Sequence, residues 1–293
     1  MSTKRTLLVQ LDTDPQPSLF DRIVALDAGA EEVLSYSQVT VAQVQSLVHG
    51  AIFTRGPKDL QRTALYFGGS QVPLAEQLFA DARKHLIPQF GLSVSMMLDP
   101  NGSSTTAAAA VRCASRHLTL ANTSAMVLGA GPVGQRAARL LASLNATVTL
   151  ADVDGKRLDE ATASILLRHP HASITPFPVD ASTTHLHHAC QPSLLIAAGP
   201  AGKVVFPKRY LEDSYEAFAN LKVMIDLNAV PPFGIEGVDV MDAGQSRNGI
   251  ACYGALGVGN LKMKIHKAAI ASLFTSNTQR LDIEEIFELS ATL

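Results

Sequence analysis

The stretch Ser124–Val153, SAMVLGAGPVGQRAARLLASLNATVTLADV, decides the fold of this chain. The apolar run Ala125–Leu128 predicts a buried strand that ends on a glycine-rich turn. A helical segment, Gln135–Leu144, follows the turn, and a second apolar strand, Thr147–Leu150, leads to Asp152. The order of strand, glycine turn, helix, strand and acid predicts a Rossmann unit that binds a nicotinamide or related dinucleotide.

The glycine-rich turn has a separate requirement for each glycine. Gly129 allows the tight turn, Gly131 lets the backbone approach a pyrophosphate, and Gly134 lets the helix pack closely on the strand. The first amides of the helix are expected to bind the phosphates, and Asp152 is expected to accept hydrogen bonds from ribose hydroxyls. The predicted cofactor-binding residues of this unit are Gly129, Gly131, Pro132, Val133, Gly134 and Asp152.

The acidic residue at the end of the second strand favours NAD over NADP. A carboxylate at this position accepts hydrogen bonds from the ribose diol and repels a 2′-phosphate. Two basic residues, Lys156 and Arg157, follow Asp152 closely. Use of NADP therefore stays open, because either side chain can offset the carboxylate if it turns inward.

The composition is that of a globular chain. Its 293 residues allow two modest domains, and 47% of the residues are apolar while 17% are charged. The formal net charge of −2 offers no electrostatic attraction for nucleic acid or for an anionic membrane. No apolar run approaches the roughly 20 residues of a membrane span. The three cysteines are widely spaced, so we expect no disulfide framework and a cytoplasmic location.

The tract Thr184–Cys190, THLHHAC, is rich in residues that bind zinc. Adjacent histidines such as His187 and His188 project differently, however, and no second cluster of ligands accompanies them and His185. We therefore expect no metal site.

The residues before the glycine turn predict a separate α/β domain with a mostly parallel sheet, because strand-like and helix-like segments alternate there. The expected strands are Thr6–Leu11, Ala51–Phe53, Thr63–Phe67 and Leu92–Leu98, and the expected helices are Leu19–Ala28, Thr40–His49 and Leu74–His85. The predicted domains are 1–104 for the substrate and 105–260 for the dinucleotide. Helices within 261–293 are expected to pack back on the first domain, which would create a cleft between the two.

The segments around and after the glycine turn extend this pattern. We expect helices at Ala107–His117, Leu158–Arg168, Leu261–Phe274 and Ile283–Leu289, and strands at Ser173–Phe177, Leu194–Ala198, Lys222–Leu227 and Ile250–Tyr253. The glycine-rich segment Gly254–Gly259 is interpreted as a loop before the helix at Leu261.

Motifs spread over nearly the whole chain carry a family resemblance. They are Asp12–Asp14, Pro17–Asp21, Thr54–Gly56, Leu98–Ser103, Thr105–Ala108, Gly129–Gly134, Asn228–Pro232, Gly254–Gly259 and Leu261–His266. Together they resemble the NAD(P)-dependent methylene-tetrahydromethanopterin dehydrogenases of one-carbon metabolism. The glycine turn is shared with many dehydrogenases, whereas Pro-Ser-x-Phe-Asp and the final lysine-rich block are far more specific.

The resemblance implies that the methylene bridge of a reduced pterin is oxidised to methenyl while a hydride passes to NAD(P)⁺. It also implies a homo-oligomer, a trimer or hexamer, with the pterin held between two α/β domains. Some members accept the tetrahydrofolate analogue, so a methylene-tetrahydrofolate dehydrogenase is one alternative. A keto-acid or shikimate-type dehydrogenase, which needs an acid/base pair, and a non-catalytic NAD-binding redox sensor are the others.

The implied reaction needs a negative charge rather than a base. Nitrogen lone pairs expel the hydride, so positive charge grows on the pterin and a nearby carboxylate favours the transition state. Asp14 and Asp21 follow the first strand, where open α/β sheets bind ligands. A turn role for Asp14 and a solvated first-turn role for Asp21 are the alternatives, and the resemblance favours the catalytic role for Asp21.

The resemblance also selects a lysine. Lys262 matches the family lysine that follows Gly-Ala-Leu-Gly-x-Gly, and we expect it to orient the pterin ring rather than touch the reacting carbon. His266 lies one helical turn further on and is a candidate substrate contact, with a packed helix histidine as the favoured alternative.

The remaining candidate contacts are polar residues within the shared motifs. Asn101, Ser103 and Thr105 can bond a heteroaromatic ring, although capping of the following helix is an equal alternative for Thr105. Ser18 is assigned to the substrate and Asn228 to the cofactor through the motifs that contain them.

Overall fold

The computed structural model describes residues 4–179, 190–213 and 218–293, and the chain divides into two compact units. The first unit comprises Met1–Thr105 with Met263–Leu293, and the second comprises Thr106–Lys262. Both units are α/β, which confirms the predicted fold class.

The first unit contains a five-stranded parallel sheet flanked by helices. Its strands are β1 (Leu7–Asp12), β2 (Glu32–Tyr36), β3 (Thr63–Gly68), β4 (Ser95–Leu98) and β12 (Arg280–Leu281). Its helices include α1 (Leu19–Asp27), α2 (Val41–Phe53), α3 (Val72–Lys84) and α9 (Ile283–Leu289). The strand order is β12-β4-β3-β1-β2, so β1 and β3 lie in the middle and are buried on both faces.

The helix α2 overturns one expectation. Ala51–Phe53 was predicted as a short strand, but it forms the last turn of α2. Val44, Val48 and Ile52 recur every four residues and are fully buried, so one continuous helical face explains the apolar residues. The edge strand β2 was not predicted, because every second residue of it is exposed and the apolar pattern is weak.

The second unit contains a seven-stranded sheet. Its strands are β5 (Ser124–Leu128), β6 (Thr147–Asp152), β7 (Ser173–Pro178), β8 (Leu194–Ala197), β9 (Val223–Asp226), β10 (Ala243–Arg247) and β11 (Ile250–Tyr253). Its helices include α5 (Pro132–Ser143), α6 (Gly155–Arg168) and α7 (Arg209–Asp213). All neighbouring strands are parallel except β10, which forms an antiparallel edge and was not predicted.

The order of this sheet is β10-β11-β9-β8-β5-β6-β7. The chain moves outward from β5 to β7 and then returns to β8 on the other side of β5. This reversal is the topological switch point of a doubly wound sheet, and ligands of such sheets bind outside the carboxyl ends of the strands there. The glycine-rich turn after β5 lies at this point.

Two helices begin earlier than expected. The helix α4 (Ser103–Ser115) starts four residues before Ala107, and α8 (Ala255–Ser272) starts six residues before Leu261. The predicted glycine loop 254–259 was therefore wrong for most of its length. A Cβ on Gly257 would collide with the carbonyl of Asp242, so this glycine serves close packing of a helix rather than a turn.

Candidate active site

The glycine turn of the second unit has the backbone that a dinucleotide needs. Gly129 has a φ of +107°, and a Cβ there would meet the carbonyl of Ala198 after β8. A Cβ on Gly134 would collide with the carbonyl oxygen of Gly129, so helix α5 can approach the turn only without a side chain. A Cβ on Gly131 would point into open space. The residues therefore fit a pyrophosphate at the start of α5.

Asp152 ends β6 and is 7% exposed. Its carboxylate accepts hydrogen bonds from the backbone amides of Ala130 and Asp154, the latter at 2.8 Å. The Arg157 guanidinium donates to both oxygens, at 2.6 Å and 3.3 Å. The acid thus connects the strand end to the glycine turn and is paired with a cation.

These bonds set the charge at the strand end. Burial raises the pKa of the Asp152 carboxyl, but the hydrogen bonds from Arg157 and from the amides of Asp154 and Ala130 outweigh it, so the pKa lies below its usual value. The same pair raises the pKa of the Arg157 guanidinium. The two side chains therefore form a charged pair, with the arginine side chain 45% exposed.

The segment after β9 forms a hydrogen-bonded loop. Asn228 donates to the carbonyl of Pro232 at 3.0 Å, and its side-chain oxygen accepts from the amide of Val230 at 2.9 Å. Buried Asp226 accepts from the amides of Asn228 and Ile235. The Asn228 side chain therefore shapes a loop at the carboxyl edge of the sheet, on the same side as the glycine turn.

A buried polar cluster lies in the first unit, and we define it as the acidic cluster: Asp12, Asp21, Tyr66, Asp99 and His266. His266 Nε2 lies 3.9 Å from Asp21 Oδ1 and 4.0 Å from Asp99 Oδ2. The Tyr66 ring stacks on the His266 ring with centroids 6.0 Å apart, and the Phe20 ring lies with its centroid 6.1 Å from that of His266. Asp21 is 8% exposed, whereas the other members of the cluster are at most 1% exposed.

Two carboxylates of the acidic cluster, those of Asp99 and Asp12, each accept several hydrogen bonds. Asp99 accepts hydrogen bonds from the amides of Ser104 and Thr105, at 2.8 Å and 3.0 Å, and from the Thr105 hydroxyl at 2.7 Å. Asp12 accepts from the amides of Asp14 and Ser18, at 2.9 Å and 3.0 Å. Asp12 therefore holds the loop that leads into α1, and Asp99 holds the start of α4.

Tyr66 connects the cluster. Its hydroxyl donates to the carbonyl oxygen of Asp99 at 3.2 Å, and the negative charge of Asp21 also acts on it. Burial first, and then the negative charges of Asp21 and Asp99, raise the pKa of this hydroxyl well above its usual value. Tyr66 is therefore protonated at neutral pH.

The predicted substrate contacts Ser18, Asp14 and Asn101 lie in three different local structures. Ser18 caps α1 by accepting from the amide of Asp21 at 3.2 Å, which brings it next to the acidic cluster. Asp14 instead binds Ser70, accepting from its amide at 2.9 Å and its hydroxyl at 2.7 Å. Asn101 is exposed and has a φ of +54°.

Three other candidate contacts are fully buried. Ser103 donates to the carbonyl of Pro100 at 2.6 Å, and Thr105 donates to Asp99, which corresponds to the capping alternative. His266 lies inside the acidic cluster, which corresponds to the packed-histidine alternative. Lys262 is half-buried, one helical turn before His266 on α8.

Sequence reasoning missed Tyr66 and Asp99 as members of a site. Tyr66 lies within the apolar strand LYF and has no local signal that distinguishes it from a core residue. The sequence offers one indication for Asp99, because an acid shortly before the start of a helix is a common N-cap. Its proximity to Asp21 and His266 depends on the strand order, which the sequence does not show.

The histidine tract lies outside the described residues except for Cys190. Within the part of the chain that the structure describes, no group of three or more His, Cys, Asp or Glu side chains is arranged to hold a metal ion. Among the described residues, no helix is both long enough and apolar enough to cross a bilayer.

Two family models match the chain. One is described as methylene-tetrahydromethanopterin dehydrogenase, N-terminal, and matches residues 19–101. The other is described as alanine dehydrogenase/PNT, C-terminal domain, and matches residues 95–196.

Two curated relatives come from Methylorubrum extorquens AM1. The bifunctional protein MdtA is 36% identical over 291 residues, which is 98% of each chain. An NAD(P)-dependent methylenetetrahydromethanopterin dehydrogenase is 33% identical over 270 residues, which is 88% of each chain.

Solved structures share the fold at low identity. The ligand-free 5-ketofructose reductase of Gluconobacter sp. strain CHM43 matches with a TM-score of 0.56 at 14% identity and covers 99% of both chains. Shikimate 5-dehydrogenase from Listeria monocytogenes, solved with shikimate and NAD, matches with a TM-score of 0.50 at 14% identity over 97% of this chain and 96% of the other. These matches support a two-domain dehydrogenase fold.

Proposed function

The chain belongs to the methylene-tetrahydromethanopterin dehydrogenase family, and from that membership we propose that it oxidises methylene-tetrahydromethanopterin to the methenyl form with NAD(P)⁺. The observation that carries the proposal is the 33% identity over 88% of a relative that bears this activity in its name. It is an NAD(P)-dependent oxidoreductase of one-carbon metabolism, and the reduced pterin is its co-substrate.

The reaction divides the work between the two units. Bound nicotinamide supplies the carbon that accepts the hydride. The methylene carbon of the pterin loses a hydride, and the adjacent nitrogens take up the positive charge that remains. No proton leaves carbon, so the protein has to position the reactants and stabilise charge. We assign the charge to Asp21, the partly accessible carboxylate of the acidic cluster.

We propose Lys262 as the second catalytic residue. A cation next to the reacting carbon would oppose the growing positive charge, so Lys262 is assigned to a ring oxygen or nitrogen of the pterin. Asp14, Ser18 and Asn101 are proposed as further substrate contacts. The buried Ser103, Thr105 and His266 are proposed to support these contacts from within the first unit.

For the cofactor, we assign the pyrophosphate to the turn Gly129–Gly134 and the ribose to Asp152. Asn228 is assigned to the cofactor through the loop that its side chain holds. We propose NAD as the preferred cofactor because of Asp152, with NADP also accepted because Arg157 pairs with that acid and is half-exposed at the strand end.

The residues 1–104, with the helices of 261–293, are proposed as the pterin-binding domain, and 105–260 as the dinucleotide-binding domain. A homo-oligomer, trimer or hexamer, and a cytoplasmic location are part of the same proposal. They rest on the family resemblance and on the three widely spaced cysteines.

One assay tests the proposed function. Formation of reduced nicotinamide is followed by absorbance with methylene-tetrahydromethanopterin or methylene-tetrahydrofolate, each with NAD or NADP. We expect turnover with the methanopterin substrate and a higher kcat/KM with NAD. Turnover with the folate alone would replace the substrate assignment, and tight NADH binding without turnover on either carrier would favour a redox sensor.

A further inference from the structure

Asp226 is a buried carboxylate that the proposed mechanism does not use. It ends β9, which lies between β8 and β11 in the sheet of the second unit, and it is 1% exposed. One carboxylate oxygen accepts a hydrogen bond from the amide of Asn228 at 3.0 Å, and the other accepts from the amide of Ile235 at 2.9 Å. Both ends of residues 227–235, which we call the β9 loop, are therefore fixed to one side chain.

The end of the β9 loop packs against Asp226 and against the segment after β8. A Cβ on Gly234 would lie 2.7 Å from the Asp226 carboxylate, so only a glycine allows this approach. The carbonyl of Gly234 accepts hydrogen bonds from the amides of Val205 and Phe206, each at 2.9 Å. The loop is thus held at its base by Asp226 and at its tip by the Asn228 side chain, as described above.

The β9 loop lies next to the glycine turn of the same unit. The amide of Ala198, directly after β8, donates to the carbonyl of Leu128 at the end of β5, at 2.8 Å. Four residues further on, the amide of Gly202 donates to the side-chain oxygen of Asn228 at 3.4 Å. Residues 198–202 therefore connect the glycine turn to the β9 loop, at the carboxyl ends of the neighbouring strands β5, β8 and β9.

The strand order gives the direction of the bound dinucleotide. The pyrophosphate is assigned to the turn after β5, and a ribose is assigned to Asp152 at the end of β6. The strands β8 and β9 lie on the other side of β5. A dinucleotide that crosses the carboxyl ends of these strands has its adenosine half on the β6 side and its nicotinamide half beside the β9 loop.

The tip of the β9 loop suits a flat ring. Val230 is 52% exposed, and the next two residues, Pro231 and Pro232, are exposed as well. A Cβ on Gly202 would lie 3.9 Å from a methyl group of Val230, so this side chain borders the segment that leads to the glycine turn. An apolar side chain in this position can cover one face of the nicotinamide ring and leave the other face for hydride transfer.

We propose that Asp226 is a positioning residue for the nicotinamide ring, which holds the β9 loop so that Val230 packs against that ring. The proposal rests on the proposed function, because it takes the placement of the cofactor from it. Asp226 itself touches neither reactant. Val230 is the contact, and Asn228 acts through the loop.

The central test compares NADH with ADP-ribose, which lacks the nicotinamide ring. Asp226→Asn keeps the size of the side chain but leaves one acceptor oxygen where two amides need one each. We expect the dissociation constant of NADH, measured by calorimetry, to rise about fivefold or more, while that of ADP-ribose changes less than about twofold.

Asp239→Asn is the matched control for this comparison. Asp239 also accepts a hydrogen bond from an amide two residues further on, that of Met241 at 2.8 Å, but it is exposed. Both dissociation constants should stay unchanged in this variant. Equal losses of affinity for NADH and ADP-ribose in Asp226→Asn would overturn the proposal, since they would reflect a general effect on the second unit.

A second variant tests the contact without touching a buried group. Val230→Ala should raise the dissociation constant of NADH about threefold or more, leave that of ADP-ribose unchanged, and leave thermal unfolding unchanged because the side chain is half-exposed. In an Asp226→Asn background, the same change should add less than about twofold, because the displaced loop no longer presents residue 230 to the ring. Effects that multiply in the double variant would contradict positioning through the loop.

Steady-state kinetics connect the ring position to the reaction. Asp226→Asn should lower kcat about tenfold or more, with the KM for the pterin changed less than about threefold, because ring orientation rather than pterin binding is lost. Selective loss of NADH affinity in a protein without turnover on either carrier would support the ring contact and refute the proposed function. Pterin turnover with unchanged NADH affinity in both variants would refute the ring contact alone.

Discussion

At the level of single residues, the roles proposed for Asp21 and Lys262 differ in how each side chain acts on the developing charge. A carboxylate near the methylene bridge would attract the pterin more strongly as it becomes positive, whereas an ammonium at the same place would oppose that charge. The proposal therefore assigns the acid to the methylene bridge and the lysine to another edge of the ring.

Lys262→Ala should weaken catalysis without unfolding the protein. Loss of a ring contact is expected to lower kcat/KM about tenfold or more, with thermal stability unchanged, because a half-buried lysine contributes little to the core. Lys264→Ala, two residues further on and exposed, is the control in steady-state kinetics and thermal unfolding. Equal kinetics for both variants would remove Lys262 from the site.

Arg157→Ala should shift cofactor preference toward NAD. Without the guanidinium, the Asp152 carboxylate is unpaired and repels a 2′-phosphate more strongly, so the ratio of kcat/KM for NAD to that for NADP should rise about tenfold or more. Lys156→Ala is the matched control, since Lys156 pairs with Glu160 at 3.7 Å on the exposed face of α6. A ratio that stays constant in both variants would mean that Arg157 does not act on the cofactor.

Tyr66 should impose a loss of stability at high pH. Its folded pKa is raised above the unfolded value near 10, so the folded state retains a proton that the unfolded chain releases. Stability from this group is complete below that value and falls as the pH rises above it, by up to about 1.4 kcal/mol per pH unit. Chemical unfolding between about pH 9 and about pH 11 should show a smaller loss for Tyr66→Phe than for the unmodified protein. Parallel losses would contradict the buried titration.

At the level of elements, the N-terminal caps of α9 and α4 differ in whether the capping carboxylate also belongs to the acidic cluster. The cap of α9 is local: Asp282 accepts from the amide of Ile283 at 2.8 Å within a capping box. The start of α4 is held by Asp99, which also belongs to the acidic cluster. One carboxylate therefore anchors a helix and contributes to the electrostatics around Asp21.

Asp99→Ala should destabilise the protein more than Asp282→Ala. The first change leaves two buried amides and a buried hydroxyl without their acceptor, at a cost of about 3 kcal/mol, whereas loss of the second cap costs about 1 kcal/mol. Urea unfolding followed by circular dichroism compares the two. Equal effects would show that burial of Asp99 adds nothing to its role as a cap.

At the level of the whole molecule, one unit is formed by a single segment of the chain and the other by two segments. The second is one continuous segment, Thr106–Lys262, while the first combines Met1–Thr105 with Met263–Leu293. The strand β12 adds to the first sheet beside β4, so the last residues of the chain complete a unit that the first residues begin.

Binding of NADH should protect the second unit from hydrogen exchange. A ligand at about 100 times its dissociation constant stabilises the state that binds it by about 2.7 kcal/mol. We expect slower exchange in peptides that contain Gly129–Gly134 and Asp152, measured by mass spectrometry. A Gly134→Ala variant should lose this protection, because its Cβ collides with the carbonyl of Gly129. Protection that persists in this variant would place the cofactor elsewhere.

The dinucleotide unit was predictable because its signals are local. The strand β5, the glycine turn, α5 and β6 follow one another within thirty residues. Gly129 and Gly134 are required by close contacts, with the carbonyl of Ala198 after β8 and with the carbonyl of Gly129 respectively. The early starts of α4 and α8 were not predicted, because glycine, serine and threonine are poor helix formers and only packing, as at Gly257, reveals their role.

The acidic cluster could not have been read from the chain, since its members come from β1, α1, β3, the turn after β4 and α8. Asp21 was predicted from chemistry and resemblance, whereas the residues that lie around it depend on which strands are neighbours. The order β4-β3-β1, and the return of α8 to the first unit, bring Tyr66, Asp99 and His266 together with it. Periodicity and propensity act over a few residues, whereas strand order is a property of the folded sheet, and that is why the cluster became visible only in three dimensions.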